Sequence, residues 1–157
     1  MTVAINTFSV TADTYVSVAQ FYAWQGQLLD DGHIDRWAAT FTPDAVIANR
    51  NRPEPAQGRG QIAAVAGRIH AESVETGIAR RHWYGMLDVV AAGAGAAAGE
   101  LRVRAYSQII DVASGGAGAL RACNVNEDEL VPADDHGWQV KRRTIRPADR
   151  TADGTAS

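Results

Sequence analysis

The chain has 157 residues, 46% of them hydrophobic and 21% charged, with a formal net charge of -3. That is room for one domain with a real core, in the balance of an ordinary soluble globular chain. The charge offers no field for nucleic acid, the one cysteine (Cys123) allows no intrachain disulfide, and no stretch approaches the roughly 20 apolar residues of a membrane span.

The N-terminal stretch MTVAINTFSVTADT has neither the basic start nor the apolar run of a signal peptide, so a cytoplasmic protein is expected. Residues 1–12 read as an arm, 13–146 as one domain, and 147–157 as a small, polar, disordered tail. Residues 13–31 read as a helix, with Tyr15, Val18, Phe21, Tyr22, Leu28 and Leu29 recurring near the helical period. Thr11 or Asp13 caps its start and Gly32 ends it. A short second helix, HIDRWAATF, turns at Pro43 and Asp44 into a strand, AVIANRN. The stretch RPEPAQGRG is a loop, and QIAAVAGRIHAESV is a third helix with Ile62, Val65, Ala66 and Ile69 facing inward.

The period then falls to about two. Strands are expected at 81–91, 100–112, 118–131 and 137–146, joined by AGAGAAAG, SGGAG and PADDHG. Such short links read as an antiparallel meander, and helices gathered on one face of it make an α+β domain. GAGAAA at 93–98 fits a dinucleotide-binding spacing, but a strand follows it rather than the required helix, so it is read as a hairpin.

Of the four histidines, His136 and His33 lie among polar residues and read as solvated, and His70 sits late on the third helix. His82 opens a strand and shares a face with Tyr84 and Met86. An imidazole on an apolar concave face is either a hydrogen-bonded core residue or a general acid–base. Asp30 sits on the first helix above a column of small residues (Ala19, Ala23, Gly26, Gln27), which predicts empty space beneath it. If helix and sheet face each other, Asp30 reaches His82 and orients it. Asn124, Asn126 and Asp128 alternate along one strand face that is either inner or outer, and Arg102 and Arg104 carry the same ambiguity. The four tryptophans read mainly as core. No metal-ligand spacing, nucleophile elbow or phosphate-binding loop occurs.

The order of elements, with DDGHIDRWAATFTPDAVI, GRGQIAA and RRHWYGMLDV, resembles the SnoaL-like branch of the nuclear transport factor 2-like superfamily over residues 12–146. That resemblance implies a cone: a curved sheet wrapped around three helices, enclosing one pocket. Within the superfamily the chain looks most like the scytalone dehydratase and bile-acid dehydratase group. It also resembles small tailoring proteins of aromatic polyketide pathways, including those forming the pyran ring of actinorhodin-type antibiotics. In the dehydratase group an aspartate near the end of the first helix maps onto Asp30, and a histidine at the start of the strand after the third helix maps onto His82. Leu29 stands where that group has a tyrosine, and Ala105 where it has a second ionisable residue.

The function implied is a cofactor-independent cyclase or dehydratase of antibiotic biosynthesis, working on a polyketide by proton transfer. Asp30 and His82 are its expected catalytic residues. Tyr22, Trp24, Tyr84, Met86, Arg104 and Asn124 are expected to contact substrate. No metal, membrane or nucleic-acid partner is expected, and a homodimer through the outer sheet face is. The rival readings are an isomerase on the same pair, a non-catalytic binding protein, and a subunit of a larger assembly.

Overall fold

The computed structural model describes residues 9–149. Most of the expected arm and tail, residues 1–8 and 150–157, lies outside the described residues. Helix α1, Ala12–Asp30, starts at Thr11, whose hydroxyl accepts from the Thr14 N–H. It stops at Gly32, at φ +76°, where the His33 N–H returns to the Leu28 carbonyl at 2.9 Å. This left-handed stop suits glycine, which carries no Cβ to clash. Its direction aims the chain into α2, Ile34–Ala39, which buries Trp37 and Ala38.

Strand β1, Phe41–Asn49, begins earlier than the sequence pattern suggests. Pro43 and Asp44 form no separate turn; they lie where the pairing of β1 is irregular, between Phe41 and Val46. A proline with no N–H to donate is tolerated at such a place. The proline-bearing loop contains a two-residue strand, β2 (Ala56–Gln57), and α3 follows at Gly58–Glu75. Then come β3 (Ile78–Ala91), β4 (Leu101–Ala113), β5 (Gly118–Ala133) and β6 (Gly137–Pro147). GAGAAA is the β3–β4 connector, as its composition implies.

The six strands form one sheet in the order β2-β1-β6-β5-β4-β3. β3 to β6 make the expected antiparallel meander, and β1 joins β6 in parallel. The helices pack on the inner side. Phe21 and Leu28 of α1, Ile62 of α3, and Val103, Leu130 and Val140 of the sheet meet in one apolar core. Burial of each large apolar side chain there contributes roughly 1.5–3 kcal/mol. The result is the expected α+β cone, and the core fills only one end of it. No helix among the described residues is long and apolar enough to cross a membrane.

Candidate functional site

The unfilled end of the cone is a cavity of about 1370 Å³ between α3, the end of α1 and the inner faces of β3 to β6. Asp30 and His82 stand side by side on its wall. Asp30 Oδ1 lies 2.6 Å from His82 Nδ1, and the same carboxylate accepts the His82 backbone N–H at 3.0 and 3.2 Å. A carboxylate can only accept, so Nδ1 carries the proton and Nε2 is the basic nitrogen. The His82 side chain is 16% exposed and that of Asp30 8%, so the ring remains reachable while its partner is covered.

The column of small residues on α1 works differently from the expectation of empty space. A Cβ at Gly26 would stand 3.5 Å from the His82 carbonyl and 3.6 Å from the Tyr84 ring. The small residues admit β3 against the helix, and this close approach is what brings Asp30 within reach of His82.

Behind the pair lies a buried polar cluster. Arg143, 1% exposed, donates to both Asp128 oxygens, through Nη2 at 2.7 Å and Nε at 2.9 Å, and to Gln25 Oε1 at 2.8 Å. Tyr22 donates its hydroxyl to Asp128 at 2.5 Å, and Gln25 continues to Thr40 at 2.6 Å. Burial is the largest single influence on Arg143 and lowers its pKa, but Asp128, Tyr84 and Tyr22 together outweigh it and the net shift is upward, so the guanidinium stays charged. The same guanidinium reaches the Tyr84 hydroxyl at 3.5 Å. Burial, more than any neighbour, raises the Tyr84 pKa and raises that of Tyr22 well above its ordinary value. Tyr84 is therefore a durable hydroxyl donor on the cavity wall. Asn126 joins it there, with its Oδ1 accepting from Ser107 at 3.1 Å.

The expected substrate contacts divide. Tyr84 lines the cavity, while Tyr22 is buried behind it, tied to Asp128. Trp24 does not reach the cavity; it stacks on His136 at 3.9 Å beside a separate depression of about 530 Å³. Asn124, Asn126 and Asp128 do share the inner face, but Asn124 is buried beyond the cavity wall and Asn126 occupies the place expected for it.

Met86 and Arg104 must be corrected outright. A bulge between Gly85 and Asp88 puts Met86 at φ +52° and breaks the alternation, so Met86 is 78% exposed on the outer face. Leu87 takes the inward position instead. Arg104 lies outside because its neighbours Val103 and Ala105 are the buried ones; its guanidinium sits 5.4 Å from the outward Tyr106 ring. Arg143 was missed by sequence reasoning for the same kind of reason. Strict alternation from Val140 would turn Arg142 inward, but a bulge opposite Glu129 and Leu130 leaves Lys141 and Arg142 both outside. The available signal was Asp128, an acid among inward residues that requires a cation.

Among the described residues no cluster of three or more His, Cys, Asp or Glu could hold a metal ion. No curated protein matches the sequence. Solved structures do. One from Catenulispora acidiphila, in complex with S-DNPA, is 26% identical with a TM-score of 0.75, covering 90% of this chain and 98% of that one. Aln2 from a Streptomyces species is 24% identical with a TM-score of 0.77, covering 93% and 99%. ActVI-ORFA from Streptomyces coelicolor is 24% identical with a TM-score of 0.77, covering 94% and 100%. The sequence profile of the SnoaL-like domain matches residues 10–144. The cone, its cavity and that match together make this chain a member of the SnoaL-like domain family.

Proposed function

We propose that the protein is a cyclase or dehydratase that acts on an aromatic polyketide intermediate by general acid–base chemistry, as a tailoring enzyme of antibiotic biosynthesis. The observation that carries this reading is the 2.6 Å contact between His82 Nδ1 and Asp30 on the wall of a cavity of about 1370 Å³. His82 Nε2 takes a proton from a hydroxyl, or from a carbon beside a ketone. Asp30 holds the ring in the tautomer that exposes Nε2 and lies against the imidazolium as it forms. Tyr84 donates to the ketone oxygen as charge gathers there, with Arg143 behind it. Ring closure through oxygen, or loss of water, follows. General acid–base work supplies about 10²- to 10⁴-fold, and the remainder comes from holding a flexible substrate in its reactive shape.

The cavity has room for a fused-ring substrate, and the complex of the Catenulispora acidiphila neighbour with S-DNPA supports a ligand-binding role for this fold. Exposed Trp83, Met86 and Tyr106 on the outer sheet face support a homodimer through that face. The function is tested by incubating the purified protein with hydroxylated polyketide ketones and following cyclised or dehydrated product by mass spectrometry. Product with the wild type and none with His82→Gln supports an enzyme. Tight binding with no product from either supports a binding protein.

A further inference from the structure

Loss of water from a β-hydroxy ketone moves two protons. One leaves the carbon beside the carbonyl. The other must reach the departing hydroxide. His82 Nε2 can take the first. The cavity must also offer the second, and few of its lining groups can. Its arginines stay charged and do not give up protons at neutral pH. The raised pKa of Tyr84 keeps its hydroxyl protonated, a lasting hydrogen-bond donor and a poor acid. Glu72 and Glu54 are exposed at the rim. One lining group remains whose type ordinarily titrates near neutrality, His70 on α3.

Its position is built. Gly32 ends α1 two residues after Asp30, and a Cβ there would meet His70 Nε2 at 2.4 Å and Cε1 at 2.8 Å. Only a residue without a side chain lets the ring lie against this turn. Two Cα–Cα steps of about 3.8 Å each then put the ring within roughly 11 Å of the Asp30 Cα. No hydrogen bond or ion pair to His70 occurs among the described residues, and neither ring nitrogen is among the sealed, unpartnered buried atoms. Neither nitrogen is therefore sealed from water, and Nε2 is the one that lies against the Gly32 turn. By contrast, Asp30 fully engages the Nδ1 of His82.

We propose that His70 is a further catalytic residue, the general acid that protonates the leaving hydroxyl while His82 acts as base. This rests on the dehydratase reading above. In the step, the Cα–H bond breaks and its proton goes to His82 Nε2. The electron pair rests on the ketone oxygen as an enolate held by Tyr84, and then forms the new double bond as the C–O bond breaks. The hydroxide takes a proton from His70 and leaves as water, and the two rings exchange protons with solvent afterwards.

The test uses the β-hydroxy derivative of α-tetralone, which becomes α-naphthol on losing water, in deuterium oxide. Two readouts run together: deuterium entering the carbon beside the ketone, and naphthol fluorescence. In His70→Gln, exchange should persist within a few-fold of the wild type while naphthol formation falls about 100-fold or more. Persistent exchange also shows that the variant is folded. In His82→Gln both should fall. Gly32→Ala, which pushes the ring off its seat without removing an ionisable group, should show the His70→Gln split in weaker form. If His70→Gln makes naphthol at the wild-type rate, the assignment is overturned and His82 returns the proton itself. If exchange and naphthol formation fall together in His70→Gln, the residue is structural and the assignment is equally overturned. If the wild type does neither reaction, the dehydratase reading fails and the role of His70 fails with it.

Discussion

Asp30 holds His82 at two points through three contacts: the ring Nδ1 at 2.6 Å and the backbone N–H at 3.0 and 3.2 Å. One carboxylate thus fixes the tautomer of the ring and the strand that carries it. Asn at position 30 keeps one acceptor oxygen but not the charge. Asp30→Asn is expected to retain the fold and to lower turnover by about 10²- to 10⁴-fold, with ligand affinity changed far less. Steady-state rates beside calorimetric binding constants check this.

The Arg143–Asp128 pair is the main buried electrostatic contact, with side chains only 2% and 0% exposed. Removing one partner of such a pair strands the other charge away from water. Asp128→Asn should cost about 3–5 kcal/mol of stability. That corresponds to a fall in Tm on the order of 10 °C by calorimetry for a chain of this size.

Alkaline pH should also unfold the protein, and the sign follows from the two buried tyrosines. Folding raises the pKa of Tyr22 and Tyr84, so the native state holds their protons where the unfolded chain has lost them. Their contribution is fully present below the unfolded value near 10 and is lost as pH climbs towards the raised folded values. Denaturant melts at stepped pH should show stability falling above roughly pH 10. Tyr22→Phe, which has no proton to lose, should flatten that fall.

The outer face gives a negative control. Met86 is 78% exposed beyond the β3 bulge and Arg104 lies on the outer side of β4. Met86→Lys and Arg104→Gln should leave ligand affinity in the cavity unchanged. A loss of dimer on sizing, at unchanged affinity, would place the subunit contact on this face.

The change of period made the α+β order legible, three helical segments and then four alternating strands, and the family resemblance implied the cone. Asp30 and His82 were legible as a candidate pair because a carboxylate and an imidazole stood at the ends of elements that meet if helix and sheet face each other, and the resemblance mapped a catalytic pair onto both. Two positions were hidden by bulges. Each bulge inserts residues that alternation cannot anticipate, so Met86 turned outward and Arg143 inward against the pattern. The parallel β1–β6 pair was hidden too, because its partners lie almost a hundred residues apart and no local signal joins them. His70 was visible as a residue of α3 but not as a cavity group, since its seat depends on the turn at Gly32.

The most direct test of the His82–Asp30 mechanism is turnover by His82→Gln at saturating ligand, measured beside the affinity of the same variant. The mechanism predicts a rate lower by about 10²- to 10⁴-fold with binding nearly intact. Wild-type turnover in His82→Gln, or a loss confined to binding, would contradict it and leave His82 as part of the wall.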